Sequence, residues 1–422
     1  MSELPVRRFL LAPANRRVLF VSYGAGHIMK VSPVFKAMQA RGYCCLVIAL
    51  TIGHSKAKQL NLEPVGYQDF LHLVDAKRVL VVGAGLQNGN QHPDVEEFES
   101  ACYLGINYLE MQQSVGAVDA DIAYRKKGRA SFLPINFFKR LMAHLQPAVV
   151  VATSSPRSEQ AAIEAAVSCG IPSLTMVDFI PPSDPFMSRA VHAGRITVAA
   201  DFICDELIEK GVDPARIVVT GSPDFDALFE THYTKAAKVK RFELGWCGLR
   251  VILWAGYVEL LEGNFDPAYA GTGFGLAVEK HLRAWVARHP HSALVIRYHP
   301  GQYHKFPDLG EQERVYYSNP IAEPLIPLLH LSDAVVVQAS TVGFEAATLG
   351  KIVLTLGFAP SVTASDFDYS RFGLGSKVSN WDELDKQLSR LPYAEKSPSS
   401  SSSSNNATAR VADEIEALLP SQ

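Results

Sequence analysis

Short β-rich apolar runs alternate with segments of helical spacing along almost the whole chain, and this alternation limits the fold more than any other feature. The clearest unit is Asp333 to Lys351. Ala334, Val335, Val336 and Val337 run unbroken by charge, as in a strand buried on both faces of a parallel sheet. Ser340 and Thr341 then offer N-caps, and the helix they open closes at Gly350. Strands are expected at Arg17 to Ser22, Tyr43 to Leu50, Ala76 to Val82, Ala148 to Ala152, Pro172 to Val177, Arg195 to Ala200 and Arg216 to Thr220. A second set is expected at Val251 to Trp254, Ala293 to Tyr298, Val315 to Ser318, Ala334 to Val337 and, last, Ile352 to Leu356. Between them lie helical segments such as Val31 to Arg41, Glu97 to Gln113, Ile135 to Leu145, Pro156 to Cys169 and Phe274 to Arg288. Strand alternating with helix makes doubly wound parallel sheets, and two successive sets make two Rossmann-like α/β domains.

At 422 residues the chain exceeds what one core ordinarily supports. The expected division is an N-terminal Rossmann-like domain over residues 1–230, a helical passage over 231–248 and a C-terminal Rossmann-like domain over 249–396. The tract SPSSSSSSNN over 397–406 buries nothing and reads as a linker, and 407–422 regains helical periodicity. A net charge of −3 gives no sign of nucleic-acid binding. The six cysteines form no CxxC pair and read as reduced core thiols of a cytoplasmic protein. No apolar run reaches the ~18 residues of a membrane span.

In open α/β sheets ligands bind beyond the carboxyl ends of the strands, so the loops there hold the candidates. Tyr23-Gly-Ala-Gly-His27 reads as a turn after the first strand. Gly24 and Gly26 let the backbone pass close to a substrate, and His27 can take a proton near neutral pH. Capping of the next helix is the bland alternative for His27. Asp178 ends an apolar strand before Pro181-Pro182; it suits a base, a hydroxyl ligand or a turn cap. In the second set, Gly256 follows the first strand. Arg297 and His299 end the next, and a cation with an imidazole there suits a phosphate. Ser340 and Thr341 start a helix whose free N–H groups favour an anion. Gly343 would admit a ligand closely, and Glu345 would accept from sugar hydroxyls.

Other patterns carry less. Gly83-Ala-Gly85 imitates a dinucleotide fingerprint, but its third glycine, Gly89, comes one residue late and no helix follows. Asp119/Asp121, Asp224/Asp226 and Asp366/Asp368 share a spacing too common to assign a metal. HExxH and GxSxG are absent. Tyr124 to Leu145 combines six basic residues with Phe132, Leu133, Phe137, Phe138 and Leu141. It suits either packing on its own sheet or contact with an anionic bilayer surface.

Taken together these residues resemble the GT-B superfamily of nucleotide-sugar enzymes. Gly24-Ala-Gly-His27 with Pro33 is similar to the first loop of such glycosyltransferases, and Val219-Thr-Gly-Ser-Pro-x-x-Asp226-x-Leu228 to the segment that ends their N-terminal domain. Arg297-Tyr-His299-Pro300 and Ser340-Thr-x-Gly-x-Glu345 resemble the motifs of bacterial capsule and teichoic-acid transferases. Ser340, Gly343 and Glu345 also match the diphosphate and ribose pattern of UDP-N-acetylglucosamine 2-epimerases. The epimerase pattern breaks at Met176-Val-Asp178-Phe-Ile and at Ala255-Gly-Tyr-Val-Glu259, where its acid–base groups would stand. Gly26-His-Ile-Met-Lys30 resembles a UDP-sugar hydrolase segment, with Lys where Arg is usual.

The resemblance implies two domains facing across a cleft, with the donor in the second. The expected activity is sugar transfer from a nucleotide-sugar, UDP before CMP, to a sugar or lipid-linked acceptor in glycoconjugate or surface-polysaccharide synthesis. His27 or Asp178 would be the base. Arg297, His299, Ser340, Thr341 and the helix N-terminus would hold phosphate, Glu345 ribose, and Gly256 and Gly343 would line the donor. The nucleotide-sugar is then a substrate; no cofactor or metal is called for, and no nucleic acid. Cytoplasmic location is expected, with peripheral contact at the inner membrane face as an extension of it. The alternatives are an epimerase or UDP-sugar hydrolase, and a non-catalytic nucleotide-sugar-binding protein.

Overall fold

The computed structural model describes residues 3–87, 95–178, 185–365, 369–391 and 406–419. Gly89, Pro181-Pro182, Asp366/Asp368 and nearly all of the serine tract lie outside that set. The chain divides into two compact units, Met1–Asp226 with Asn406–Gln422, and Ala227–Asn405.

The first unit holds β1 (Arg17–Tyr23), β2 (Cys44–Leu50), β3 (Val149–Thr153), β4 (Ser173–Met176), β5 (Arg195–Val198) and β6 (Ile217–Val219). They form one sheet in the order β2-β1-β3-β4-β5-β6, every pair parallel. The second unit holds β7 (Arg250–Gly256), β8 (Ser292–Tyr298), β9 (Val315–Tyr317), β10 (Ala334–Val337), β11 (Ile352–Leu356) and β12 (Ser376–Val378). Their order is β12-β11-β10-β7-β8-β9, again all parallel. Both sheets are Rossmann-like. Val18, Leu19, Phe20 and Val21 are all inaccessible to solvent, as are Val335, Val336 and Val337. Helices on both faces explain why these strands are apolar at every position rather than at alternate ones. The order of strands reverses between β1 and β3 in the first sheet and between β7 and β10 in the second. A ligand crevice is expected beyond those two pairs of carboxyl ends.

The structure departs from the sequence expectations in several places. Ala76 to Val82 is the start of a helix, Ala76–Leu86, and not a strand. Asp75 caps it by accepting from the Arg78 N–H at 3.1 Å. Gly83 is required because a Cβ there would lie 1.9 Å from the Ala101 carbonyl of the helix Glu97–Val115. Gly105 on that helix meets Val79 in the same way, at 2.0 Å. The glycine pair is therefore a helix crossing, and a short apolar run fits helix and strand equally well by periodicity.

The helix after β1 begins at Ala25, not Val31, and runs to Ala40 with Pro33 inside it. Gly24, at φ 96°, makes the sharp entry, so Gly26 and His27 lie in the first helical turn and not in a loop. Ile352–Leu356 is not the final strand, because β12 pairs beside it. Cys169 and Cys247 are exposed, against the expectation of core thiols, whereas Cys45 and Cys102 are buried.

The C-terminal helix Ala407–Leu418 returns to the first unit. Val411, Ala412 and Ile415 join the core formed by Val18, Phe20 and Val34. Arg41 pairs with Asp413 at 2.8 Å and Glu416 at 2.6 Å, and Arg195 with Glu414 at 3.0 Å. Asp226 accepts from the Ala407 and Thr408 N–H groups at 3.0 and 2.8 Å. That is the role of the carboxylate closing the Thr220–Leu228 segment: it caps a helix from far along the chain.

Candidate functional site

In the first unit the carboxyl ends of β1, β3 and β4 bring five polar side chains together. His27 Nδ1 lies 3.0 Å from Asp178 Oδ2 and 2.5 Å from Thr153 Oγ1. Thr153 in turn donates its hydroxyl to Glu159, whose carboxylate also accepts the Thr153 N–H at 2.8 Å and the Tyr23 N–H at 2.5 Å. Lys30, one turn after His27 and 4% exposed, pairs with the other oxygen of Asp178 and donates to the Val177 carbonyl at 3.3 Å. Because Thr153 gives its proton to Glu159, the Nδ1–H of His27 is the donor to both Asp178 and Thr153. Its Nε2 has no hydrogen-bond partner among the described residues. A Cβ on Gly26, one residue earlier in the same helical turn, would meet nothing within 4 Å outside its chain neighbours.

Charge sets the protonation states. Burial opposes the His27 cation, but the Glu159 charge and the Asp178 hydrogen bond outweigh it and raise the imidazole to about 9. Burial would raise Asp178; the adjoining Lys30 and His27 cations instead hold it well below the usual carboxylate range. Lys30 is raised, with its burial overcome mainly by Asp178. Glu159 is pushed up by its own burial, against the His27 charge and the Thr153 and Tyr23 bonds. The resting cluster is a charged lattice with an imidazolium at its open edge.

Arg157 adds a strained element. It precedes the helix Ser158–Ser168 with φ 69°, a region that non-glycine residues seldom enter. Its guanidinium stacks over the Tyr23 ring at 4.2 Å, with Nε buried and unpartnered among the described residues. Strain of this kind collects at functional sites.

The second unit has its own candidate residues at the ends of β7, β8 and β10. Ser340 caps the helix Thr341–Thr348 by accepting the Val342 N–H at 3.3 Å, and Thr341 is exposed at its first position. Gly343 is needed for the protein itself, since a Cβ would lie 2.5 Å from the Tyr369 ring, whose hydroxyl bonds the Ser340 carbonyl. Gly256 is likewise closed, by the Trp254 ring at 2.6 Å. Both glycines therefore admit aromatic rings from the same unit.

Arg297 is buried and turned to the Ser318 hydroxyl at 2.8 Å and the Pro320 carbonyl at 3.4 Å. Burial lowers its pKa, with Glu323 and then Glu345 opposing, so Arg297 and the half-buried Glu345 share one electrostatic neighbourhood. His299 is exposed, and its Nδ1 accepts the Gly301 N–H at 3.1 Å. Glu259, 3% exposed, was not expected. It takes the Gln338 amide, the Ser361 N–H at 2.8 Å and the Ser361 hydroxyl at 2.9 Å. Gln338 also accepts the Tyr257 N–H at 2.9 Å, tying the loop after β7 to the end of β10.

The sequence offered His27 and Asp178 as alternative bases, each beyond a strand end, and gave no signal for Thr153 or Arg157; the structure sets the two side by side. Glu159 was legible in principle, as an acid in the first turn of a helix after a buried strand. The other aspartate pairs have ordinary partners: Asp121 pairs with Arg125 at 2.9 Å, and Asp224 accepts from Ser222 at 2.5 Å.

Two Rossmann-like units of this build define the GT-B fold class. The family model described as capsule polysaccharide biosynthesis protein matches residues 277–361, which include Arg297, His299 and the Ser340 to Glu345 segment. The putative UDP-N-acetylglucosamine 2-epimerase of Listeria monocytogenes is similar in structure, with a TM-score of 0.57, 15% identity and 95% of each chain covered. The UDP-GlcNAc 2-epimerase of Neisseria meningitidis, bound to UDP-GlcNAc, has a TM-score of 0.54 and 14% identity over 96% of this chain and 99% of that one. The "glycotransferase of kitacinnamycin" has a TM-score of 0.51 and 14% identity, covering 97% of this chain and 100% of that one. No curated protein matches the sequence.

Proposed function

We propose that the protein is a glycosyltransferase that moves a sugar from a nucleotide-sugar, UDP before CMP, to an acceptor hydroxyl in surface-polysaccharide or glycoconjugate synthesis. The observation that carries this reading is the His27–Asp178 pair at the strand-order reversal of the first sheet, with Nε2 left without a hydrogen-bond partner among the described residues. Asp178 and Thr153 fix the ring so that Nε2 is the atom offered to an acceptor hydroxyl. Asp178 itself is too well paired to act as the base; its part is to orient and charge-balance His27. The donor phosphates would lie at the N-terminus of Thr341–Thr348, with Ser340 and His299 beside it, where amides stabilise charge growing on the leaving group. Arg297 would act there through its field, and Glu345 would hold ribose. The transfer needs no cofactor and no metal in this scheme. The capsule family match across this segment and the UDP-bound similar structures support a nucleotide-sugar substrate.

A second reading has one observation in its favour. An imidazolium at His27 with a pKa of about 9 is a better acid than base at neutral pH, which suits an epimerase or hydrolase that cleaves UDP-sugar without an acceptor. The replacement of the epimerase pattern around Asp178 and Glu259 counts against it. Incubation with UDP-, CMP- and GDP-sugars, with and without acceptor lysate, separates the readings by nucleotide release. Release that requires the lysate supports transfer; release without it supports the second reading; none from any donor overturns both and leaves a binding protein. For transfer with His27 as base, kcat/KM rises about tenfold per pH unit towards a plateau near pH 9, and His27→Ala loses at least about a hundredfold. A rate that falls above pH 9 assigns His27 the acid role instead.

A further inference from the structure

Arg157 stands in the turn between β3 and the helix Ser158–Ser168 at φ 69° and ψ −117°. Thr51 is bent in the same way between β2 and the helix Ile52–Gln59, at φ 55° and ψ −136°. In the sheet β2 and β3 flank β1, so these turns lie on either side of Gly24, roughly 10 Å apart. Glycine would fit both without strain; strain is retained at such points where the side chain serves a site. We infer that Arg157 recognises an acidic group, a carboxylate or a phosphate, on the acceptor sugar. In the transferase reading above, on which this rests, the donor phosphates belong to the second unit. An anion met in the first unit is therefore the acceptor's.

The guanidinium is held in place but not neutralised. It stacks over the Tyr23 ring at 4.2 Å. No carboxylate pairs with it among the described residues. Asp178 is taken by Lys30 and His27, and Glu159 by the Thr153 hydroxyl and the Thr153 and Tyr23 N–H groups. Of its nitrogens only Nε is shut in; both Nη reach solvent and have no acceptor among the described residues. A ligand can thus meet the guanidinium along its Nη edge, where a carboxylate or a phosphate binds through two oxygens.

Tyr23 also ties Arg157 to the His27 cluster. The Tyr23 N–H goes to Glu159 at 2.5 Å, and Thr153, which donates its hydroxyl to Glu159, lies 2.5 Å from His27 Nδ1. An acceptor whose hydroxyl meets His27 can therefore carry its charged group to Arg157. A neutral acceptor would leave that cation to water, whereas an acidic one gains a charge-assisted pair.

The test uses the full chain without donor and takes methyl β-D-glucuronoside, glucose 6-phosphate and methyl β-D-glucoside as probes, which share a ring and differ in charge. In a saturation-transfer NMR titration one of the charged probes should bind roughly tenfold tighter than the neutral one, and whichever does so assigns carboxylate or phosphate. Arg157→Gln should bring the charged probes down to the neutral level without weakening the glucoside. Arg157→Gly, free of the strain, should do the same, and it keeps the test valid if the glutamine variant fails to fold. The His27 ring resonances should shift with the tighter probe in the wild type. Equal affinity for all probes, or no binding by any, overturns the inference. So does a preference that survives the Arg157 variants, or one that leaves His27 unmoved. Loss of the preference alongside acceptor-dependent nucleotide release removes the role of Arg157 alone; a preference kept where no transfer occurs removes the transferase reading alone.

Discussion

His27 shows how far a side chain's chemistry departs from its residue type once neighbours are fixed. An isolated imidazole titrates near 6.5; here it is raised to about 9. A group whose folded pKa is raised stabilises the fold while protonated, fully so below its unfolded value. The stability difference between the wild type and His27→Gln should therefore hold steady below pH 6.5 and shrink as pH rises through about 9. In an NMR titration, Glu159→Gln should move the His27 midpoint down, because the Glu159 charge is the largest influence raising it. A midpoint that does not move would separate the two residues. Arg157 offers a second check at this scale. Arg157→Gly removes the strain at φ 69° and should stabilise the protein by about 1 kcal/mol, seen as a higher midpoint in urea. It should lower activity if the strained arginine serves the site.

Among the elements, the helix Ala407–Leu418 shows how a remote carboxylate decides local order. Asp226 holds its first two N–H groups, and Arg410 reaches back to the Thr220 carbonyl at 2.8 Å. Asp226→Ala should cost about 1 kcal/mol and speed amide exchange in residues 407–418 before the sheet responds. The helix Ile135–Leu145 makes the opposite point. Its phenylalanines, Phe137 and Phe138, are in the core with Leu141, while Lys139 is exposed and Arg140 turns to the buried Glu110. Among the described residues no helix is long and apolar enough to cross a membrane.

For the whole molecule, the chain leaves the first unit at Asp226 and comes back to it at Asn406. Truncation after residue 405 would uncover the apolar surface now covered by Val411, Ala412 and Ile415. Calorimetry should then show the transition of the first unit lowered by several degrees and that of the second unit unchanged. Equal lowering of both transitions would mean that the C-terminal helix stabilises more than the sheet it packs on.

What the sequence determined by itself was the periodic part. Runs such as Val18 to Val21 and Val335 to Val337 read as buried strands of a parallel sheet, which they are, and the helices between them give the doubly wound class. It also placed His27, Asp178, Ser340 and Arg297 at strand ends, because strand ends can be read from where an apolar run stops. Tertiary structure decided the rest. Only the fold put Thr153 and Glu159 behind His27 and made it a cation, and only the fold turned Arg297 to Ser318. Only the crossing of two helices explained Gly83 and Gly105, and only the folded chain showed that Tyr369 fills the space at Gly343. Local periodicity follows from burial, which each residue encodes for itself; partners across long stretches of chain depend on packing, which no single segment encodes.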